Sequence, residues 1–327
     1  MTTPIYFAPM EGITDATFRR VHHARFSGVR KYFIPFISPT QNLRLTAREL
    51  SAVAPELNAG VPAVPQVLAK DAQLALWAVR MLADMGYAEV NLNFGCPSGT
   101  VTAKGKGAGM LADIPHLERF LDEFYAHAPL PVSVKTRIGF TSPAEFECLL
   151  PLLSAYPISE LILHPRTRAQ FYKGQPHREL FAEALAVCPV PLCYNGDLFT
   201  PGVCEAFMAE YPQTRALMLG RGLVANPALA QTLAGGAPLT AGALRDFHDE
   251  LEESYLALYP AHIVLGRMRE VMKHAACCFE GAHKPLKAIR KAATLAAYHE
   301  AVFRLFDSCP LRDNPGFTDA QEQPLAK

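Results

Sequence analysis

Seven short polar clusters in this 327-residue chain lie within or at the end of apolar runs, and together they contain most of its candidate chemistry. They are Pro9, Met10 and Glu11; Gln66; Asn93 with Cys96; Lys135 with Arg137; His164-Pro165-Arg166; Asn195-Gly196-Asp197; and Gly220-Arg221-Gly222. Lys135 and His164 each terminate an apolar segment. A lysine drawn out of water there needs an anion or an electron-rich ring beside it. The two Gly-containing turns at 195–197 and 220–222 let backbone N–H groups approach phosphate oxygens, and Arg221 adds charge. A phosphate-bearing cofactor is expected at that end. Cys96 stands in Asn93-Phe94-Gly95-Cys96-Pro97, where the flanking Gly and Pro mark a loop. A loop thiol beside polar groups is a candidate proton donor or nucleophile, whereas most cysteines are small buried hydrophobes. We assign that packing role to Cys148, Cys188, Cys193, Cys204, Cys277 and Cys278. The following stretch, 99–109 (GTVTAKGKGAG), carries Lys104 and Lys106 and reads as a mobile loop, either a lid or a connector. It lacks the Gly-x4-Gly-Lys-Ser/Thr spacing of a P-loop.

The elements that must position these groups recur at nearly even intervals. Apolar, β-rich runs at 5–8, 31–37, 63–68, 89–94, 131–136, 161–164, 191–194 and 216–219 give eight strands roughly 30 residues apart. Amphipathic segments with helix punctuation lie between them: Asp71 caps a helix at 72–85 that stops at Gly86, and Asp113 caps one at 114–127 with Pro115 in its first turn. Strands alternating with helices specify βαβ units and a parallel sheet. Eight units in about 235 residues fit a closed (β/α)8 TIM barrel, whose active-site residues lie at the C-terminal ends of strands. No dinucleotide fingerprint follows the first strand, which reads Ala8-Pro9-Met10-Glu11-Gly12.

Strand signals stop past residue 236, and helical periodicity covers 244–259, 263–279 and 284–306, with a frayed tail from 313. The expected organisation is a barrel over residues 1–236 and a small helical bundle over 237–327. Lys and Arg total 31, as do Asp and Glu, but the zero net charge hides an asymmetry. Residues 241–260 hold one Arg against five acidic side chains, whereas 261–298 hold seven Lys/Arg against two Glu. Such a pattern is either two solvated helix faces or a footprint for a polyanion.

Composition narrows the class. With 50% hydrophobic and 19% charged residues, the chain buries a large core and is not disordered. Its longest uncharged stretch, 222–244, is broken by Pro, Asn, Gln, Thr and Gly and does not span a membrane. The first residues lack the pattern of a signal peptide, and the eight cysteines form no Cys-x-x-Cys pair. A cytoplasmic, reduced, metal-free protein is expected.

Taken in order, the motifs Ala8-Pro9-Met10-Glu11-Gly12-Ile13-Thr14-Asp15, Asn93-x-Gly95-Cys96-Pro97-Ser98, Val134-Lys135-x-Arg137, His164-x-Arg166-Thr167, Tyr194-Asn195-Gly196-Asp197 and Gly220-Arg221-Gly222 resemble the tRNA-dihydrouridine synthase family. The resemblance runs from about residue 5 to 230 and more loosely into the tail, where Arg269 and Lys273-His274 are similar to the family's basic helix. It implies an oxidoreductase that holds FMN in the barrel mouth, takes hydride from NADPH or NADH, and reduces the C5–C6 double bond of a tRNA uridine. Carried across, Pro9, Met10, Glu11 and Gln66 line the isoalloxazine, and Lys135 faces its N1–C2 side. His164 lies against the flavin or its phosphate side; Asn195, Gly196, Asp197, Gly220 and Arg221 hold the phosphate. Asn93 borders the substrate ring with Arg137 nearby, and Cys96 is the general acid that protonates C5. Lys104, Lys106, Arg166 and Arg168 at the mouth, with Arg269, Lys273, Lys284, Lys287, Arg290 and Lys291 in the bundle, grip tRNA phosphates. This chain departs from the family in having Ser98-Gly99-Thr100 where many members place paired lysines. The expected state is a monomer.

Two other readings keep some of these residues. A flavin barrel acting on a free small molecule, similar to dihydroorotate dehydrogenase, uses the cofactor set but not the basic bundle. An RNA-binding protein without chemistry needs neither Cys96 nor Lys135.

Overall fold

A computed structural model describes residues 3–318. All its strands pair in parallel: β1 (Ile5–Phe7), β2 (Val29–Phe33), β3 (Ala63–Val64), β4 (Gln66–Val67), β5 (Val90–Phe94), β6 (Val132–Arg137), β7 (Leu161–His164), β8 (Leu192–Tyr194) and β9 (Ala216–Leu219). Their order is β3-β2-β1-β9-β8-β7-β6-β5-β4. The two ends of this sheet, β3 and β4, are separated in the chain only by Pro65, so the sheet closes on itself. Proline has no N–H to donate to a ladder. The chain therefore changes neighbour there: β3 pairs with β2, β4 pairs with β5, and the Pro65 carbonyl accepts from Asn91 N–H at 2.9 Å. The expected third strand, 63–68, is these two halves, so the eight-strand reading and the barrel agree with the structure.

The helices follow their punctuation. Asp71 accepts from Leu74 N–H at 2.9 Å and caps Ala72–Asp84, and Gly86 leaves that helix at φ +92°. Asp113 accepts from His116 N–H at 3.0 Å and caps Ile114–Tyr125. Beyond the barrel, four helices follow: Ala241–Leu256, Ala261–Ala275, His283–Lys291 and Leu295–Ser308. The single helix expected at 284–306 is thus two. Thr294 interrupts it because its side chain caps the second, accepting from Ala297 N–H at 3.2 Å.

The helical segment packs on the barrel through both apolar and polar contacts. Phe247 meets Phe18 edge-on at 5.6 Å and Phe26 at 5.7 Å, below the first strand's helix Ala16–Arg25. Arg267 forms an ion pair with Asp15, which also accepts from Tyr255 Oη at 2.9 Å. The charge asymmetry is partly explained by packing. Asp246 and Glu250 reach Arg25 on the barrel, Asp249 pairs with Arg245 and His248, and Glu252 pairs with His299.

The tail differs from expectation. Residues 313–318 are not frayed: Phe317 is buried against Phe199 and His274, and Asn226 donates to the Pro315 carbonyl at 3.0 Å. Residues 319–327 lie outside the described ones. Of the cysteines assigned to packing, Cys193, Cys204, Cys277 and Cys278 are buried, but Cys188 is half-buried and Cys148 is exposed on its helix.

Candidate active site

The C-terminal ends of the strands surround a cavity of about 360 Å³, within the size of small-molecule sites. Each residue expected to touch the cofactor lines it: Pro9, Met10, Glu11, Gln66, Lys135, His164, Asn195, Gly196, Asp197, Gly220 and Arg221. Asn93, Cys96 and Arg137 line it too. Its wall also includes Phe36, Tyr172, Phe199 and His274, which the sequence reading did not place there. Their only signal was position, in turns after strands or next to Lys273.

Cys96 is fixed from two sides. The N–H groups of Gly95 and Cys96 both donate to Asn93 Oδ1, at 3.0 and 2.9 Å, and the Cys96 carbonyl accepts from Ala108 N–H at 3.0 Å. The second contact comes from the glycine-rich stretch, which is folded rather than loose. It forms the short helix Gly99–Thr102 and a 3-10 turn, Gly107–Ala112. Gly107 (φ +58°) passes so close that a Cβ there would lie 3.0 Å from Cys96 Cβ, so only glycine fits. The thiol itself is half-buried.

Lys135 lies on the cavity floor and has neither a hydrogen bond nor an ion pair among the described residues. Loss of water, with repulsion from Arg137, lowers its ammonium to about 8. His164 is pushed well below its usual range by burial and by the cations Arg137, Lys135, Arg166 and Arg221, and stays neutral. Arg166 Nη1 lies 3.2 Å from His164 Nε2. An arginine can only donate, so Nε2 accepts and the ring proton sits on Nδ1.

Arg137 is buried, with Nε donating to Gly95 O at 2.9 Å and Nη1 to Thr167 O and Phe171 O at 2.9 and 2.8 Å. It ties the Cys96 loop to the loop after β7 and still reaches the cavity. Arg166 is corrected from the sequence reading: it is 1% exposed, does not line the cavity, and holds Asp197 and the Gly174 carbonyl. A buried, ion-paired guanidinium presents no charge to a polyanion. Asp197, expected to hold phosphate, has its carboxylate between Arg166 and Arg221, the latter at 2.9 Å. Arg221 is also enclosed by the rings of Tyr172, Phe199 and Phe317, each about 5 Å away.

The remaining cations vary. Lys104 is exposed, but Lys106 is half-buried and donates to Ser38 Oγ at 2.7 Å. Arg168 is half-buried between Phe140 and Phe171 and donates to Thr102 Oγ1 at 3.1 Å. Helix His283–Lys291 turns Leu286 and Ile289 inward and leaves Lys284, Lys287 and Lys291 exposed, with Arg290 half-buried. Arg269 and Lys273 are half-buried, and Arg269 donates to Ala292 O at 3.2 Å. Among the described residues no cluster of His, Cys, Asp and Glu suits a metal, and no helix is long and apolar enough to cross a membrane.

Residues 6–310 match the family model described as Dihydrouridine synthase (Dus). The chain belongs to that family. A tRNA-dihydrouridine(16) synthase of Pseudomonas putida is 31% identical over 308 residues, 91% of this chain and 90% of its own. A tRNA-dihydrouridine synthase B of Vibrio cholerae is 29% identical over 69% of each chain. Among solved structures, a variant of NCR from Zymomonas mobilis superposes with a TM-score of 0.52 at 17% identity, covering 79% of this chain and 94% of that one. A morphinone reductase variant in complex with tetrahydroNAD superposes at 0.51 and 12% identity, over 72% and 87%. The last two show a shared fold. Family membership makes this dihydrouridine synthase an oxidoreductase that uses a flavin and forms dihydrouridine from uridine in tRNA.

Proposed function

We propose that the cavity holds FMN, that NADPH or NADH re-reduces it, and that a tRNA uridine enters above it to be reduced at C5–C6. The observation that carries this reading is the pairing of an immobilised thiol, Cys96, at the cavity wall with an unpartnered ammonium, Lys135, on its floor. A flavin fits this donor set. It has a flat apolar body for Ala8, Met10 and Met218, an electron-rich edge for Lys135, and one phosphate for Gly220 and Arg221. Bound flavin supplies the hydride for C6 of the uracil.

The chain's own residues do the rest. Cys96 holds its proton at Sγ and gives it to C5, so the thiol must be protonated before turnover. Asn93 and Arg137 border the substrate ring, and Gln66 fixes Asn93 by accepting from its Nδ2 at 2.6 Å. Neutral His164 adds no charge beside the flavin. The base leaves its stack to reach this depth, as in other enzymes that act on bases. Lys104, Lys106, Arg168, Arg269, Lys273, Lys284, Lys287, Arg290 and Lys291 meet phosphates, dividing the work between a barrel of residues 1–236 and a tRNA-binding bundle of 237–327. The P. putida relative, matched over nine-tenths of both chains, supports position 16 as the target. We place the protein in the cytoplasm as a monomer.

The test is nucleoside mass spectrometry after incubating the flavin-loaded protein with NADPH and dihydrouridine-free tRNA. Dihydrouridine mapped to position 16 is the expected product. A yellow protein that forms none, but oxidises NADPH with a free pyrimidine, would be a small-molecule flavoenzyme instead.

A further inference from the structure

Six side chains run as one hydrogen-bonded file through the barrel interior, from its N-terminal end to the Cys96 loop. Lys31 Nζ donates to Glu89 Oε2 at 2.6 Å, and Ser133 Oγ donates to Glu89 Oε1 at 3.2 Å. Asn91 Nδ2 donates to Ser133 Oγ at 3.0 Å, Gln66 Nε2 to Asn91 Oδ1 at 2.7 Å, and Asn93 Nδ2 to Gln66 Oε1 at 2.6 Å. Strand register stacks them: Gln66 lies opposite Asn91, Asn91 opposite Ser133, and Asn93 opposite Lys135. Residues two apart share a face, so Asn91 and Ser133 sit one layer beneath Asn93 and Lys135. Gln66, Asn91 and Ser133 are fully buried.

The file has one possible direction. A side-chain amide can turn over, exchanging donor for acceptor, unless a partner of fixed polarity prevents it. At the top the backbone N–H groups of Gly95 and Cys96 can only donate, so Asn93 must show them Oδ1. At the bottom Ser133 Oγ faces two groups that can only accept, the Glu89 carboxylate held by Lys31 and the Val90 carbonyl at 3.4 Å, so its proton points down and it accepts from Asn91. Every amide between these ends is then fixed from both, and a break lower down removes one of the two anchors, leaving the amides above it held from the Cys96 loop alone.

We propose that Asn91 and Ser133 are positioning residues for Cys96, setting the thiol's place through Gln66 and Asn93 without touching substrate or cofactor. The proposal rests on Cys96 being the acid of the reading above. A misplacement of the donor by a fraction of an ångström lowers turnover more than binding.

The test uses the flavin-loaded protein and three variants, Ser133→Ala, Asn91→Leu and Asn91→Asp. Iodoacetamide alkylation, followed at Cys96 and at exposed Cys148 by peptide mass spectrometry, reads the loop independently of turnover. Ser133→Ala and Asn91→Leu are expected to change the Cys96 rate by about fivefold and to lower kcat about tenfold, with Cys148, flavin content and KM for tRNA unmoved. Asn91→Asp should recover toward wild type as pH falls, because a protonated carboxyl donates to Ser133 where the amide N–H did. Cys96 alkylation and kcat both near wild type in Ser133→Ala and Asn91→Leu would overturn the proposal, as would Cys96 and Cys148 rates rising together. If wild-type protein makes no dihydrouridine while Cys96 alkylation still answers to Ser133, the positioning stands and the proposed reaction falls.

Discussion

Arg166 and Asp197 form a two-pronged ion pair in which the guanidinium is buried and the carboxylate is open to the cavity. Asp197 also takes Arg221, so one acid orders two bases and leaves a single net positive charge at that end of the site. Breaking a buried pair strands its other member. Arg166→Ala should therefore lower stability by about 3 kcal/mol in denaturant unfolding. Its tRNA affinity should keep the wild-type salt dependence, since no phosphate contact is lost.

Cys96→Ala should retain flavin and tRNA binding but slow dihydrouridine formation by about 10²–10⁴-fold, the range for removing a general acid. Single-turnover assays with pre-reduced protein measure this step directly. An unchanged rate would assign the proton to water or to another group.

Lys135 gives a pH signature of definite sign. Its folded pKa, about 8, lies below the ordinary 10.5, so keeping it charged costs the flavin-free fold stability below about pH 8. That cost is relieved as pH rises toward the unfolded value. Flavin affinity should run the other way, highest below about pH 8 and falling above it as the ammonium is lost. Lys135→Met should abolish that break in a fluorescence titration and should make the flavin-free protein more stable at pH 7. His164 contributes no second break to flavin affinity between pH 6 and 8, because it is neutral throughout that range in the folded protein.

Phe317→Ala should cost about 3 kcal/mol as a buried aromatic truncation. It should also weaken flavin binding, because one of the three rings around Arg221 is removed. Stability and flavin affinity measured on the same preparation will show whether the two losses travel together.

Replacing Lys284, Lys287 and Lys291 together with Gln should flatten the dependence of log affinity on log salt for tRNA by about 2–3, at ~0.7–0.9 per phosphate contact. Their helix buries only Leu286 and Ile289 in this stretch, so thermal stability should hardly change.

Much of this molecule could be read from local signals. The strand ends were legible because the polar clusters, Gln66 apart, follow short apolar runs, and Asp71 and Asp113 were legible as caps because their bonds go three residues ahead. What escaped depends on contacts distant in sequence. Arg166 looks like a mouth cation until Asp197, 31 residues on, takes it inward. Thr294 looks like an interior helix residue until its cap is seen. The file from Glu89 to Asn93 is spread over three strands, and nothing in Asn91 or Ser133 alone announces it. The segment around Phe317 lacks periodicity and is ordered only by the surface it covers.

That last segment also bears on the order in which the protein is made. Chains emerge from the N-terminus and domains begin to fold during synthesis. The barrel's strands are all translated by Leu219, yet the rings beside Arg221 are completed only when Phe317 emerges, almost a hundred residues later. A ribosome-bound barrel would thus have its thiol loop and Lys135 before the third ring that encloses Arg221, and tight retention of the cofactor would wait for Phe317.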